Sequence, residues 1–144
     1  MSNDGPGPRG QQLLGYLLKH AQQRMVALNV EALTPLGIDD RELGVLLVVD
    51  EHETGSQQQA AARLAIDRTT MVAMLDALER KGLVARRPLA HDRRRNVVEL
   101  TDRGREVLRS GLEASGGAEE TLLAEVDPQD ARGLRAALAR VVLG

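Results

Sequence analysis

Residues 56–100 switch from helical to strand periodicity within one short span. The stretch "SQQQAAARLAIDRTTMVAMLDALERKG" reads as two short helices in succession, Gln57 to Leu64 and a second ending at Gly82. The break falls at "AID", Asp67 is placed to cap the second helix, and Gly82 supplies the left-handed stop. Met71, Met74, Leu75 and Leu78 recur at spacings of three and four and face a core, leaving Arg68, Thr69 and Thr70 on the opposite side. A brace helix, a tight turn and a second helix with an exposed N-terminal end form a helix-turn-helix, whose second helix can enter a DNA major groove. "LVARR" and "NVVEL" then alternate apolar and polar residues, predicting two strands joined by a polar loop from Pro88 to Arg95. The fold class is therefore mainly α with a small two-stranded β wing, a winged helix-turn-helix.

That hairpin is where the charge concentrates. Arg86, Arg87, Arg93, Arg94 and Arg95 crowd into ten positions of a chain whose formal net charge is -2. Like charges repel, so the cluster points to an anionic partner, and a phosphate backbone is the first candidate. Residues 63–105 carry 11 Lys/Arg against 6 Asp/Glu, and the rest of the chain 8 against 15. A basic middle between acidic ends suggests a nucleic-acid face on a body that otherwise repels DNA. Two other readings stay open: pairing of the arginines with Asp92 and Glu99, and a protein-interaction module whose basic wing meets an acidic protein partner.

Composition removes other classes of function. The chain has 144 residues with 42% hydrophobic content, enough to fill one core, and no cysteine, which excludes disulfides, thiolate zinc sites and cysteine redox sensing. Tyr16 is the sole aromatic residue, so stacking on single-stranded nucleic acid lacks a platform. No nucleophile with a base and no paired carboxylates stand at usable spacing, so no enzyme activity is expected. "DEHE" at 50–53, with His20 and His91, reads as a polar helix end and not as a metal site, and no cofactor is implied. "MSNDGPGPRG" reads as a flexible arm over residues 1–10 without a signal-peptide pattern, and no apolar run approaches the ~20 residues a bilayer needs. The expectation is a cytoplasmic protein with no membrane partner.

Flanking segments read as helices with surplus apolar surface. In residues 11–36, Leu13, Leu17, Ala21 and Leu28 share a face with Leu14, Leu18 and Met25 beside it, a stripe wide enough for the chain's own domain and a second copy. Asp39 and Glu42 form a capping box, with Ile38 and Leu43 as a hydrophobic staple, at the start of a helix running to about Asp50. The helix-turn-helix domain is expected over 37–100 and dimerisation helices over 101–144. Thr101 caps the first of these, "SGG" at 115–117 predicts a kink or break, and Asp127 with Pro128 starts a last helix bearing Leu134, Leu138 and Val141 on one face.

"DRTTMVAMLDALERKGLVARRPLAHDRRRNVVELTDRGREVL", with its "KGLV", "DRR" and "LTDRGR", resembles the core of the MarR family of bacterial winged helix-turn-helix transcriptional regulators. The motif-rich resemblance covers 56–108 and a looser one about 11–143. It implies an intertwined homodimer on double-stranded DNA, with a pseudo-palindromic operator and repression often relieved by a small-molecule effector. By the same resemblance Thr69, Thr70, Val72 and Ala73 face the groove, with Arg68 at the helix start. Asp92 holds the wing, Arg94 enters the minor groove with Arg93 and Arg95 beside it, and Gln57 and Gln58 open the supporting helix. The apolar Val72 and Ala73 can touch a thymine methyl but make no hydrogen bonds, which shifts discrimination towards shape reading by the wing. Tyr16 is a candidate effector-lining residue.

Overall fold

In the computed structural model the described residues are 6–51, 66–89 and 92–144. A 3-10 turn at Gly10–Gln12 precedes α1 (Leu14–Leu33), and a second at Thr34–Leu36 leads into α2 (Asp40–Glu51). Then follow α3 (Arg68–Arg80), the antiparallel strands β1 (Val84–Leu89) and β2 (Asp92–Leu100), α4 (Asp102–Leu122) and α5 (Pro128–Leu143).

Each boundary has a local cause. α1 gives way to the 3-10 turn at Pro35, and Gly37, in the left-handed region at φ 75°, turns the chain towards α2. The capping box is present: Glu42 N–H donates to Asp39 Oδ1 at 2.9 Å and Asp39 N–H to Glu42 Oε1 at 3.2 Å. Ile38 and Leu43 both lie buried behind it. α3 stops as the spacing predicts, with Gly82 at φ 76°.

The core is one cluster beneath α3 and the base of the hairpin. Leu33 of α1, Val45, Leu46 and Val49 of α2, Met71, Leu75 and Leu78 of α3, Val84, Val98 and Leu100 of the hairpin and Leu108 of α4 all contribute. α1 lies along α4, and α2 packs on both α4 and β2. α5 contributes no buried residue: Leu134, Leu138, Val141, Val142 and Leu143 are all exposed, as are Leu13, Leu14, Leu17 and Leu18 on α1.

Two expectations need correction. α4 runs unbroken through Ser115, Gly116 and Gly117, and the chain first leaves helix after Leu122. Each glycine costs about 1 kcal/mol against alanine, but Leu108 and Ala118, buried on either side of "SGG", tie both halves of the helix to the fold. The strands also extend further than "LVARR" and "NVVEL": the backbone of Pro88 and of 92–95 is strand, not loop.

Among the glycines, the closest approach is that of Gly104, at the start of α4, to the turn between α3 and β1. A Cβ on Gly104 would fall 1.9 Å from the Leu83 carbonyl oxygen, whereas one on Gly117 would meet nothing within 4 Å. Gly104→Ala should therefore destabilise the chain by about 3 kcal/mol through forced backbone movement. Gly117→Ala should stabilise it by about 1 kcal/mol. Urea unfolding of both variants checks the pair, and equal effects would refute the packing assigned to Gly104.

Candidate nucleic-acid interface

α3 is held at its N-terminus by its cap. Asp67 accepts from the Thr70 N–H at 2.8 Å and from the Thr70 hydroxyl at 2.6 Å. The Thr70 side-chain bond, then its backbone bond, holds the Asp67 carboxyl below its ordinary value. Of the positions predicted to face the groove, Thr69 and Ala73 are exposed on one side of α3, as is Arg68 at the helix start, whereas Val72 and Thr70 are half-buried. Thr70 gives its hydroxyl proton to the cap, which leaves its oxygen as an acceptor only. Gln57 and Gln58, and with them the expected supporting helix, lie outside the described residues.

The hairpin is irregular where its charge is greatest. Val84 pairs with Leu100 and the register continues to Pro88 opposite Asn96, but Leu89 pairs with Asp92. Between those last two pairings β2 holds three more residues than β1: Arg93, Arg94 and Arg95. A register shift of this kind bends the strand backbone, here along residues 93–95 at the outer end of the wing.

The other two arginines of the cluster have partners within the chain, which corrects the expectation that all five need an external anion. Alternation along β1 puts Arg86 on the same side as buried Val84, towards α3, and Arg87 on the other. Arg86 Nη2 donates to Asp76 and its Nε to Glu79 at 3.1 Å. Arg87 meets Glu99 at 3.3 Å on the opposite face. Asp76 and Glu79 were not legible as site residues, although a pair of acids three apart on a helix followed by an arginine-rich strand is a usable signal. Lys81 was missed too. Its Nζ donates to the Gly37 carbonyl at 2.8 Å and to Glu42 Oε2 at 2.6 Å, tying the end of α3 to the corner between α1 and α2.

Away from the hairpin, Tyr16 is half-buried on α1 with its ring 4.0 Å from that of His20. Among the described residues no group of three His, Asp or Glu could hold a metal ion, and no helix is long and apolar enough to cross a membrane.

A capped helix with an exposed N-terminal face, beside a two-stranded wing and flanked by long helices, defines the winged helix-turn-helix class of DNA-binding proteins. The profile of the MarR family matches residues 36–95. An uncharacterised HTH-type transcriptional regulator of Bacillus subtilis, YdgJ, is 31% identical over 118 residues, 82% of this chain and 71% of its own length. Against other curated relatives the matched stretch spans about three fifths of their length. The transcriptional repressor CouR bound to a 23-mer DNA duplex superposes with a TM-score of 0.84 at 31% identity, over 98% of this chain and 99% of that one. CouR from Rhodococcus jostii RHA1 bound to p-coumaroyl-CoA gives 0.77 at 25% identity, over 91% and 92%. The chain belongs to the MarR family.

Asp67→Ala should lower the midpoint of thermal unfolding at neutral pH by removing the cap of α3. Because the Asp67 carboxyl is held low in the folded state, its contribution is full above the ordinary carboxylate range and is lost as pH falls through the lowered value. Thermal unfolding of both proteins between neutral and strongly acidic pH should show the gap closing at the acidic end. A gap that persists there would refute the assigned role.

Proposed function

We propose that the chain is a ligand-responsive transcriptional repressor that binds a pseudo-palindromic operator as a homodimer and performs no catalysis. The observation that carries this reading is the likeness over nearly its whole length to a repressor captured on duplex DNA. Support from the chain itself is the pairing of an exposed α3 N-terminus with a basic, bulged wing.

In this reading each subunit lays Arg68, Thr69, Thr70, Val72 and Ala73 along a major groove, and the two helices of a dimer enter successive grooves about 34 Å apart. Arg93, Arg94 and Arg95 contact the flanking minor groove and phosphates, Asp92 braces the wing, and Gln57 and Gln58 approach the backbone. Exposed apolar residues on α1 and α5 form the subunit contact. An effector acts by preferring one separation of the two α3 helices, because a ligand shifts such an equilibrium only by its differential affinity. Tyr16, on the helix that joins the dimer contact to the winged domain, lines the effector site. The protein works in the cytoplasm, where its operator is.

Fluorescence anisotropy on DNA from upstream of its own gene, with excess non-specific competitor at two salt concentrations, tests the reading. Saturable binding at two subunits per site that survives the competitor supports it. Binding abolished by the competitor leaves only phosphate contacts, or an acidic protein as the partner. Arg94→Ala should weaken operator binding by about 1 kcal/mol or more and lower the salt slope by roughly one unit, and unchanged affinity would defeat the placement of Arg94. Leu138→Asp, on the uncovered face of α5, should convert a dimer to a monomer in sedimentation velocity, and an unaltered dimer would remove α5 from the contact.

A further inference from the structure

The DNA-binding reading leaves the Arg86, Asp76 and Glu79 cluster unexplained. Two carboxylates on the helix that meets DNA repel phosphates, so their presence there needs a reason. Arg86 is a poor phosphate ligand: its side chain is 20% exposed, and both its Nε and one terminal nitrogen are engaged by carboxylates of α3. It stands mid-way along β1, two residues beyond the buried Val84 and just before the register shift. The hairpin is anchored in the core at its base, and beyond Arg86 the described part of β1 is Arg87, an exposed Pro88 and Leu89. A strand rises about 3.3 Å per residue, so a tilt of about 10° at Val84 displaces the outer end by roughly 3 Å.

We propose that Arg86 is a positioning residue: by bridging Asp76 and Glu79 it fixes the angle between the wing hairpin and α3, so that helix and wing meet DNA in one geometry. This rests on the DNA-binding reading. A guanidinium can span two carboxylates in a fixed plane, which an ammonium cannot, so charge alone does not meet the requirement. The cluster makes the wing and the recognition helix one rigid reader and determines specificity without touching a base.

The test compares the full-length native chain with Asp76→Asn/Glu79→Gln and with Arg86→Lys. The probes are a duplex selected by the native protein from a random pool and a scrambled duplex of equal composition. Removing two carboxylates raises the affinity for both duplexes if they act only by repulsion. If they position the wing, the ratio of selected to scrambled affinity falls, by about tenfold, while scrambled binding holds or tightens. Arg86→Lys should show the same fall in ratio with an unchanged salt slope. A ratio that stays at the native value in the double variant overturns the proposal. So does an Arg86→Lys chain that weakens on both duplexes equally.

A second measurement needs no DNA and separates this proposal from the reading it rests on. The chain has no cysteine, so Arg80→Cys on α3 and Pro88→Cys on β1 accept a single pair of spin labels, with labelled chain diluted into unlabelled to remove inter-subunit signals. The distance distribution should be narrow with Arg86, Asp76 and Glu79 in place and should broaden in Asp76→Asn/Glu79→Gln, with thermal unfolding confirming that the variant is folded. An unchanged distribution overturns the proposal even if the native protein selects an operator. A native chain that selects no duplex removes the DNA reading, and the distances still decide whether Arg86 sets the wing angle.

Discussion

Four elements meet at one backbone junction. The Thr101 N–H donates to the Leu83 carbonyl at 3.1 Å, the Thr101 hydroxyl donates to the Gly82 carbonyl at 2.6 Å, and the same hydroxyl oxygen accepts from the Gly104 N–H at 3.0 Å. Thr101 thus caps α4 and at the same time ties that cap to Gly82 and Leu83, the turn between α3 and β1. Only a glycine at 104 lets the helix come so close to the Leu83 carbonyl. The capped helix α3, both strands of the wing and the long helix α4 are registered to each other there. A displacement of α4 therefore reaches the end of α3 through hydrogen bonds as well as through the shared apolar core.

Lys81 and Arg86 extend this junction in two directions. Lys81 ties the end of α3 to the Gly37 carbonyl and to Glu42, where α1 turns into α2. Arg86 ties the wing to the acidic side of α3. Ion pairs that are only partly covered, as these are, contribute little to global stability, and their value lies in orientation. The proposed reading of DNA by both α3 and the wing requires a narrow range of orientation between the two, which hydrogen-bonded charges on rigid elements supply.

Much of this was legible because the relevant physics is local. The caps at Asp39, Asp67, Thr101 and Asp127 are short-range exchanges between a side chain and a backbone three or two residues ahead. The apolar period of α3 and the stop at Gly82 follow from the same few residues. The glycines at 116 and 117 misled because their cost is local while the packing on either side of them, which keeps the helix whole, comes from distant parts of the chain. The pairing of Arg86 was hidden for the same reason: alternation says which face of β1 it occupies, but not that Asp76 and Glu79 lie opposite.

The sequence by itself determined the class of protein. Helical period followed by strand period, caps and stops at the right places and a basic segment in an acidic chain leave few other folds, because each depends on neighbours within one turn or one strand. Tertiary structure decided what the charges do. Five arginines crowded into ten positions are one feature in the sequence and two in space, with Arg86 and Arg87 neutralised by carboxylates and Arg93, Arg94 and Arg95 set in a bulge at the end of the wing. That division follows from strand register and from the approach of β1 to α3. Both are settled by burying Val84, Val98 and Leu100 in one core with residues of α1 and α2 that lie far from the arginines in the chain.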